Sequence, residues 1–522
     1  MPQSNSCQVC ATLGRALPDG VSSIMLRHRF CFCVLCAILG AAVCLGILFL
    51  SAPAASAQAP AAARGGLSFV NDVAPILKEN CFACHDSKKR KGKMDMTTFE
   101  SFRKGGTRED PIVPGKPDES LIIELLTAQD KSRMPPKEAG EALPKEKIAV
   151  IAKWIAEGAR LDPGLTPKSD LLRELRVRWQ PPPPPNVYPY PVTVTALAFT
   201  PDNQKLVIGG QHELTVWDFA RGKLEKRIFT RAERAYAMAF LPDGKLAVAG
   251  GRPGQEGDVR VYNLQGSKGT SQNGVTILDG VKDRNVMVKQ LLDTDDSVLC
   301  LAVSPDGKRL ASGGCDRIVN IWDISGGVMN AKLDQSIENH ADWVFGVAFA
   351  ADGKHLLTCS RDKTAKVWDL STRESVLTFP DHQSPVYGVA VKPDGKTGIS
   401  AGEDNQVRFW NTTGDGKQTR ALAGHSKAIF RVLYHPRQPL VLTCSADNTV
   451  RVWNADKGQA VRTLTGNTDW TYALAVSPDG DRVASGSWNG EIRVWKITDG
   501  QLLQTFNASP GLAQAAALAP RK

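Results

Sequence analysis

A repeat that runs from residue 192 to residue 508 constrains the fold of this chain more than any other feature. Short hydrophobic segments recur with a shared ending, and these endings are Val216-Trp217-Asp218, Val261-Tyr262-Asn263, Ile321-Trp322-Asp323, Val367-Trp368-Asp369, Phe409-Trp410-Asn411, Val452-Trp453-Asn454 and Val494-Trp495-Lys496. Five of the six successive spacings between the aromatic residues lie between 42 and 46 residues, and the step from Tyr262 to Trp322 is 60, which indicates an insertion near residues 266–295. Self-similarity at this period indicates stacked supersecondary units that share one core. Alternating strands and turn sequences such as Ser-Pro-Asp-Gly at residues 304–307 make these units β-structured.

The repeat resembles the WD-repeat family of β-propellers. In that family, a His, a turn Asp, a strand Ser or Thr and the Trp of one blade form a hydrogen-bonded set. Two blades match the whole set, with His340, Ser360, Asp362 and Trp368 in one and His425, Ser445, Asp447 and Trp453 in the other. A third blade has His382, Asp404 and Trp410 but carries Gly402 at the expected hydroxyl position, and the last blade has Asn467 in place of His.

This resemblance implies an all-β, seven-bladed propeller over residues 192–508, followed by a tail at 509–522. We expect each blade to come from one continuous segment, with residues 192–199 as the innermost strand of the first blade and residues 500–506 as the fourth strand of the last. Histidines and aspartates that recur at the blade spacing are expected to be structural rather than catalytic. His212, His355 and His435 fit no blade set.

The motif Cys81-Phe82-Ala83-Cys84-His85 carries the chemistry of the chain. Two thiols at this spacing can add to the two vinyl groups of one haem, and the His that follows can bind the iron, so C-x-x-C-H is the attachment signature of c-type haem. A zinc site would need a second pair of ligands. A thioredoxin-like redox pair would need a βαβ context, whereas the surrounding sequence has helical periodicity.

Residues 67–163 resemble the planctomycete-type cytochrome c domain. Besides the Cys-Phe-Ala-Cys-His motif, the resemblance rests on Lys-Gly-Gly-Thr at 104–107, Val-Pro-Gly-Lys-Pro at 113–117, Arg-Met-Pro-Pro-Lys at 133–137 and Trp-Ile-Ala-Glu-Gly-Ala at 154–159. It implies one haem c per chain, bound covalently through Cys81 and Cys84, with His85 and Met134 as the axial ligands of the iron. The family's Gly-Leu-x-Leu stretch reads Gly-Lys-Met-Asp-Met at 92–96, so Met94 and Met96 remain rival ligands.

The same region has the hydrophobic periodicity of a small all-α domain. Helical patterns are centred on residues 69–77, 121–126 and 148–155, and a short helix is expected at 171–177. Residues 164–191 are a Pro-rich linker, in which the five consecutive prolines at 181–185 predict an extended, stiff spacer that holds the two domains apart.

The N-terminal 57 residues have the layout of an export signal. Arg27-His28-Arg29 precedes an uncharged apolar run at 30–50, and Ala55-Ser56-Ala57 offers a cleavage site before a linker at 58–66. The run is also long enough to remain as a membrane anchor, and either Met1 or Met25 can be the start. Both alternatives place the rest of the chain in the cell envelope. Among the 12 cysteines, those of the propeller lie in strand segments rather than in a disulfide framework.

These features favour an exported, single-haem electron carrier whose propeller binds protein partners. The net charge of +10 is mild and no nucleic-acid-binding module is recognisable, but the basic run at 88–91, beside the haem motif, could steer an acidic redox partner. No catalytic residue is assigned. Two rival functions are a haem-dependent oxidoreductase with a substrate site in the propeller and a scaffold with a structural haem.

Overall fold

The N-terminal part of the described chain is a small helical region. The computed structural model describes residues 66–108, 110–266 and 268–512, so the predicted signal or anchor, its cleavage site and most of the C-terminal tail lie outside the described residues. A π-helical turn at Phe69–Val73 leads into the helices, which are α1 (Ala74–Asn80), α2 (Phe99–Lys104), α3 (Leu121–Thr127), α4 (Lys145–Ala156) and α5 (Leu171–Arg178). In the described part of the chain, no helix is both long and apolar enough to span a membrane.

Aromatic packing forms the core of this region. The Phe69 ring lies 5.0 Å from the Trp154 ring between centroids, and both side chains are buried. Trp154 reaches this core because α4 places Ile151, Trp154 and Ile155 on one face, at the three- and four-residue spacing of a helix. Leu171, the first residue of α5, is fully buried in the same core. The helix at the start of the predicted linker therefore packs as part of the helical region.

The rest of the described chain is β-structured. Its strands are β1 (Leu197–Phe199), β2 (Lys205–Gly209), β3 (Gln211–Asp218), β4 (Lys223–Phe240), β5 (Leu246–Arg252), β6 (Glu256–Tyr262), β7 (Thr270–Gln272), β8 (Val275–Asp279), β9 (Met287–Thr294), β10 (Val298–Val303), β11 (Arg309–Gly314), β12 (Ile318–Asp323), β13 (Lys332–Glu338), β14 (Val344–Phe349), β15 (His355–Ser360), β16 (Ala365–Asp369), β17 (Glu374–Phe379), β18 (Val386–Val391), β19 (Thr397–Gly402), β20 (Val407–Asn411), β21 (Gln418–Leu422), β22 (Ile429–Tyr434), β23 (Leu440–Ser445), β24 (Val450–Asn454), β25 (Gln459–Leu464), β26 (Thr471–Val476), β27 (Arg482–Ser487), β28 (Glu491–Lys496) and β29 (Leu502–Asn507). Strands β10 to β29 form five four-stranded sheets of consecutive antiparallel strands. The result is a propeller-like domain that contains WD repeats.

Strands β1 to β9 form one nine-stranded sheet because β4 is long enough to belong to two units. Its first half pairs with β3 through Lys223 to Phe229, and its second half pairs with β5 through Arg234 to Phe240. The predicted insertion contains the β7–β8 hairpin, whose β8 strand adds to β4 in parallel. The repeat pattern in the sequence does not predict this continuous sheet.

The two ends of the β-structured region contact each other. Strand β29 pairs with β28, so the last sheet comes from one continuous segment. The first strand is shorter than predicted, because it begins at Leu197 rather than at Val192. The residues before it instead contact the last sheet, where the Val194 amide donates to the Ser487 carbonyl at 3.2 Å and the Val192 amide donates to the Ser509 hydroxyl at 2.8 Å.

The hydrogen-bonded blade sets exist, but the hydroxyl predicted for them is wrong. In one blade, Nε2 of His382 lies 2.7 Å from the Ser400 hydroxyl, which also accepts from Nε1 of Trp410 at 3.1 Å, while Nδ1 of His382 lies 3.0 Å from Asp404. The blade in which Gly402 replaces the expected hydroxyl therefore has a complete hydrogen-bonded set, because Ser400 supplies the hydroxyl.

The other two sets use Thr358 and Thr443 in the same way, ten residues before their Trp. The predicted Ser360 and Ser445 instead accept from the backbone amides of Asp362 and Asp447, at the strand ends. The reason is register: Trp368 pairs with Leu356, so Thr358, two residues along on the same face, is its diagonal neighbour.

Two buried serines provide a test of the blade set. Ser400→Ala leaves the His382 and Trp410 ring nitrogens without their partner, so we expect a loss of about 1–3 kcal/mol in the free energy of unfolding. Ser312 stands ten residues before Trp322 and is equally buried, but its hydroxyl has no hydrogen-bond partner among the described residues. Ser312→Ala should therefore cost little. Urea unfolding followed by tryptophan fluorescence measures both, and equal losses would contradict the assignment.

The helical region is attached to the propeller rather than held away from it. Arg176 in α5 forms ion pairs with Asp293, at 3.1 Å, and with Asp295. Beyond α5, the Arg252 guanidinium lies 3.5 Å from the centroid of the Trp179 ring. These contacts join the end of the helical region to the second half of the nine-stranded sheet.

The proline run also lies against the propeller, so the prediction of a spacer that separates the domains is wrong. Nη2 of Arg227 donates to the Pro185 carbonyl at 2.7 Å, and the Tyr188 hydroxyl donates to the buried Glu213 carboxylate at 2.6 Å. Consecutive prolines have carbonyl acceptors but no amide donors, so an arginine is a suitable partner for such a segment.

Candidate functional site

The four predicted haem-site residues line one cavity of the helical region. The cavity measures about 660 Å³, and its wall includes Cys81, Cys84, His85 and Met134. A volume of this size lies within the range of about 300–1,000 Å³ that is usual for cofactor and ligand sites. The fold thus brings Met134 to the cysteine motif although 48 residues separate it from His85 in the chain.

The cysteine motif forms a tight turn directly after α1. The Cys81 amide donates to the Leu77 carbonyl at 2.8 Å, and the amides of Cys84 and His85 both donate to the Cys81 carbonyl at 3.1 Å. The turn brings both thiols and the imidazole to the wall of the same cavity. Both thiols are free, and burial raises the pKa of Cys81 to about 12, so this sulfur is a neutral thiol at neutral pH.

A backbone hydrogen bond orients the His85 ring. Nδ1 of His85 lies 2.9 Å from the Lys91 carbonyl oxygen. A carbonyl can only accept, so Nδ1 carries the proton and Nε2 keeps a free lone pair. Burial lowers the pKa of His85, which further favours the neutral ring. A neutral imidazole with a fixed tautomer is the form that binds a metal. This role of the Lys91 carbonyl was not predicted from the sequence, since any residue type can supply a carbonyl.

The two rival methionines, Met94 and Met96, also line this cavity. Met94 and Met96 are each 8% exposed and belong to the hydrophobic core of the helical region, whereas Met134 is half-buried. The Met134 amide donates to the Leu125 carbonyl at 2.9 Å, which ties this residue to α3. The two groups thus differ in packing: Met94 and Met96 are core side chains, and Met134 sits on a loop attached to the cavity wall.

Two glycines allow the loops around the cavity to pack closely. The chain at Gly106 passes so close to Gly92 that a β-carbon at 106 would lie 2.2 Å from the Gly92 carbonyl oxygen. That same carbonyl accepts the Thr107 amide at 2.8 Å. Both glycines line the cavity, so the Lys-Gly-Gly-Thr segment closes one of its sides against the loop that follows His85.

The residues present fit a haem. Two thiols three residues apart could form its thioether links, His85 offers an unused imidazole nitrogen, and a thioether is available at Met134. The rest of the wall is largely apolar, with Leu121, Ile122, Leu125 and Leu126 contributed by α3. Such a wall suits a hydrophobic macrocycle and would limit the access of water to its iron.

The three histidines that fit no blade set all have hydrogen-bond partners. Nδ1 of His212 lies 3.2 Å from the Arg231 carbonyl, and Nδ1 of His355 lies 2.6 Å from the Asp352 carboxylate. Nε2 of His435 donates to the Gly480 carbonyl at 2.7 Å. The His212 and His435 contacts link neighbouring strands or loops of the β domain, and the His355 contact lies within one turn.

The fold and the site together define a class of protein, in which a cytochrome c-like domain precedes a propeller of WD repeats. Comparison with known families agrees with both parts. Residues 81–138 match the Planctomycete cytochrome C family, and five segments match the WD domain, G-beta repeat, namely 286–323, 331–369, 373–411, 416–454 and 458–496. Most of the nine-stranded sheet precedes the matched repeats.

Two curated proteins resemble part of the chain. Protein groucho of Drosophila melanogaster is 28% identical over 130 residues, which are 24% of this chain and 15% of that protein. Transducin-like enhancer protein 2 of Mus musculus is also 28% identical over 130 residues, which are 24% of this chain and 14% of the relative. The chain thus covers only a small part of these two relatives.

Proposed function

We propose that this protein is an exported c-type cytochrome that carries one haem, transfers electrons and uses its propeller as a platform for protein partners. The observation that carries the proposal is the convergence of Cys81, Cys84, His85 and Met134 on one cavity. Bound there, a haem supplies reversible one-electron exchange between ferrous and ferric iron, which needs no substrate site.

The residues of the chain have separate tasks in this proposal. Cys81 and Cys84 would hold the haem covalently, and Nε2 of His85 and the sulfur of Met134 would bind its iron. The Lys91 carbonyl keeps the His85 ring in the required tautomer. An iron bound by both residues would have no open position for oxygen or small ligands, so these residues would favour electron transfer over catalysis.

An acidic protein is the proposed redox partner. Four exposed basic residues begin three positions after His85, namely Lys88, Lys89, Arg90 and Lys91. One of these charges is partly compensated, because Arg90 lies 3.8 Å from Asp95. The remaining positive charge near the cavity would raise the rate of encounter with an acidic surface, and added salt would reduce this effect.

We further infer that the propeller has seven blades. Five are the four-stranded sheets, and the nine-stranded sheet supplies two more when β4 is divided between them. The ion pairs of Arg176 and the stacking of Trp179 fix the cytochrome domain against these first blades. A partner bound to the propeller would therefore be held in a defined position relative to the haem.

The export signal remains part of the proposal. Attachment of haem through C-x-x-C-H needs a maturation pathway outside the cytoplasm, and the basic and apolar segments at 27–50 provide a route there. Cleavage after Ala57 and retention as an anchor are both compatible with it.

A redox titration of the full chain, matured with haem, tests this function. We expect fully reversible reduction by one electron per chain. Reduction by a small acidic redox protein should be slowed severalfold by the Lys88→Glu, Lys89→Glu variant at low salt, and much less at high salt. A haem that cannot be reduced reversibly would favour the scaffold instead. Substrate-dependent haem reduction by the chain alone would favour the oxidoreductase.

A further inference from the structure

Six inner strands of the propeller share an irregularity near their start. In each, the pairing with the next strand skips one residue, which marks a β-bulge. The skipped residues are Tyr236, Leu299, Phe345, Tyr387, Phe430 and Tyr472. Five of the six are aromatic. A bulge releases its residue from the ladder and re-aims the side chain, and bulges are frequent beside binding sites.

Four of these bulge residues form a continuous aromatic arc, which consists of Phe345, Tyr387, Phe430 and Tyr472. Ring centroids are 5.1 Å apart from Phe345 to Tyr387, 5.8 Å from Tyr387 to Phe430 and 4.2 Å from Phe430 to Tyr472. A cavity lies between the inner strands of the propeller, and we call it the axial cavity. Tyr387 and the bulge residue Tyr236 both line it. The arc therefore adjoins the axial cavity.

One positive charge lies in this axial cavity. The cavity measures about 150 Å³, and Arg431 is the single charged residue among those that line it. Nη2 of Arg431 donates to the Tyr236 carbonyl at 2.8 Å. In the described ranges, no carboxylate lies within 4.0 Å of its nitrogens. The neighbouring Cys300 does not balance the charge, because burial raises the pKa of that thiol to about 12.

We propose that the axial cavity binds a small planar carboxylate. The guanidinium of Arg431 offers paired N–H donors that match the two oxygens of a carboxylate. Tyr236 and Tyr387 are the aromatic residues among those that line the cavity, and aromatic residues suit the planar body of the ligand. A cavity of about 150 Å³ is large enough for a benzene-sized group. This site is separate from the haem cavity and goes beyond the electron-transfer function.

Calorimetric titration of the full chain with benzoate tests the proposal, with benzamide as a neutral ligand of the same shape. We expect benzoate to bind with a dissociation constant of about 1 mM or below. Benzamide should bind at least about tenfold more weakly, since it lacks the charge-assisted pair with Arg431. Arg431→Met should weaken benzoate binding by a similar factor.

Arg361→Met is the matched control, because Arg361 stacks on Trp343 at 5.0 Å and does not line the cavity. It should leave benzoate binding unchanged. The proposal is overturned if benzoate does not bind, if benzamide binds equally well, or if both arginine variants lose binding alike. The comparison of the two ligands on the unaltered chain decides the matter even if Arg431→Met fails to fold.

Discussion

Replacing Cys81 and Cys84 together with alanine is expected to abolish covalent haem attachment. Both thiols line the haem cavity, and the turn after α1 presents them three residues apart. With neither sulfur present, no thioether can form, and any haem that enters the cavity is held only by His85, Met134 and apolar contacts. Acid-acetone extraction should remove all haem from the double variant and none from the parent protein.

Single replacements give a graded result that identifies the attaching sulfurs. Cys81→Ala or Cys84→Ala keeps one thioether, so haem should resist extraction, but one vinyl group stays unsaturated. The absorption band of the reduced pyridine complex should then shift to longer wavelength in each single variant. Cys444→Ala is the matched control, because Cys444 is a fully buried propeller cysteine.

The control should retain the haem content and the spectrum of the parent. Haem that is extracted from the parent itself would refute covalent attachment, and haem that survives extraction in the double variant would place the attachment at other residues.

Sequence reasoning predicted the β-structured region from a periodic signal. The Trp-ended repeat located the strands of the last five sheets, because a recurring ending fixes where each blade segment stops. The Cys-x-x-Cys-His motif predicts a haem site from spacing within five residues, and its two cysteines and its histidine line one cavity. Met134 was assigned to this site from the family resemblance, and in the structure it lines the same cavity as the motif.

Reasoning from sequence failed where the answer depended on register between strands. Choosing Ser360 over Thr358 requires knowing that Leu356 pairs with Trp368, which no single strand reveals. The aromatic arc was missed for the same reason: its members resemble ordinary strand residues until the bulges are known.

The sequence also could not predict structure that depends on contacts between residues far apart in the chain. The prolines at 181–185 are extended in isolation, but Arg227 and Glu213 hold the segment that contains Pro185 and Tyr188 against the propeller. Glu213 and Arg227 also form a buried ion pair between β3 and β4, in a blade that lacks the His-containing set. Such pairs become visible only when the strands are in place.

Met134→Ala is expected to change the haem more than the fold. The Met134 side chain is half-buried. The hydrogen bond from the Met134 backbone amide to the Leu125 carbonyl does not depend on the side chain. In the proposed ligation, removing the thioether would leave the iron without its sixth ligand, so the weak near-infrared band of sulfur bound to ferric iron should disappear. The reduction potential should fall, because a soft, uncharged sulfur favours ferrous iron. Carbon monoxide should bind the reduced variant and not the parent.

Met94→Ala and Met96→Ala should show the opposite pattern. Both side chains are buried in the helical core, so truncation should lower the stability of that region by about 2–5 kcal/mol. Met94→Leu and Met96→Leu, which conserve volume, should cost less than about 1.5 kcal/mol. All four variants should keep the near-infrared band and exclude carbon monoxide.

The leucine variants separate ligation from packing. Leucine fills the space of methionine but has no sulfur. Replacing the ligand methionine with leucine should therefore abolish the near-infrared band without a large loss of stability. If Met94→Leu or Met96→Leu loses the band while Met134→Leu keeps it, the sixth ligand lies in the 92–96 segment. The departure of that segment from its family pattern would then be the change that altered the coordination of the iron.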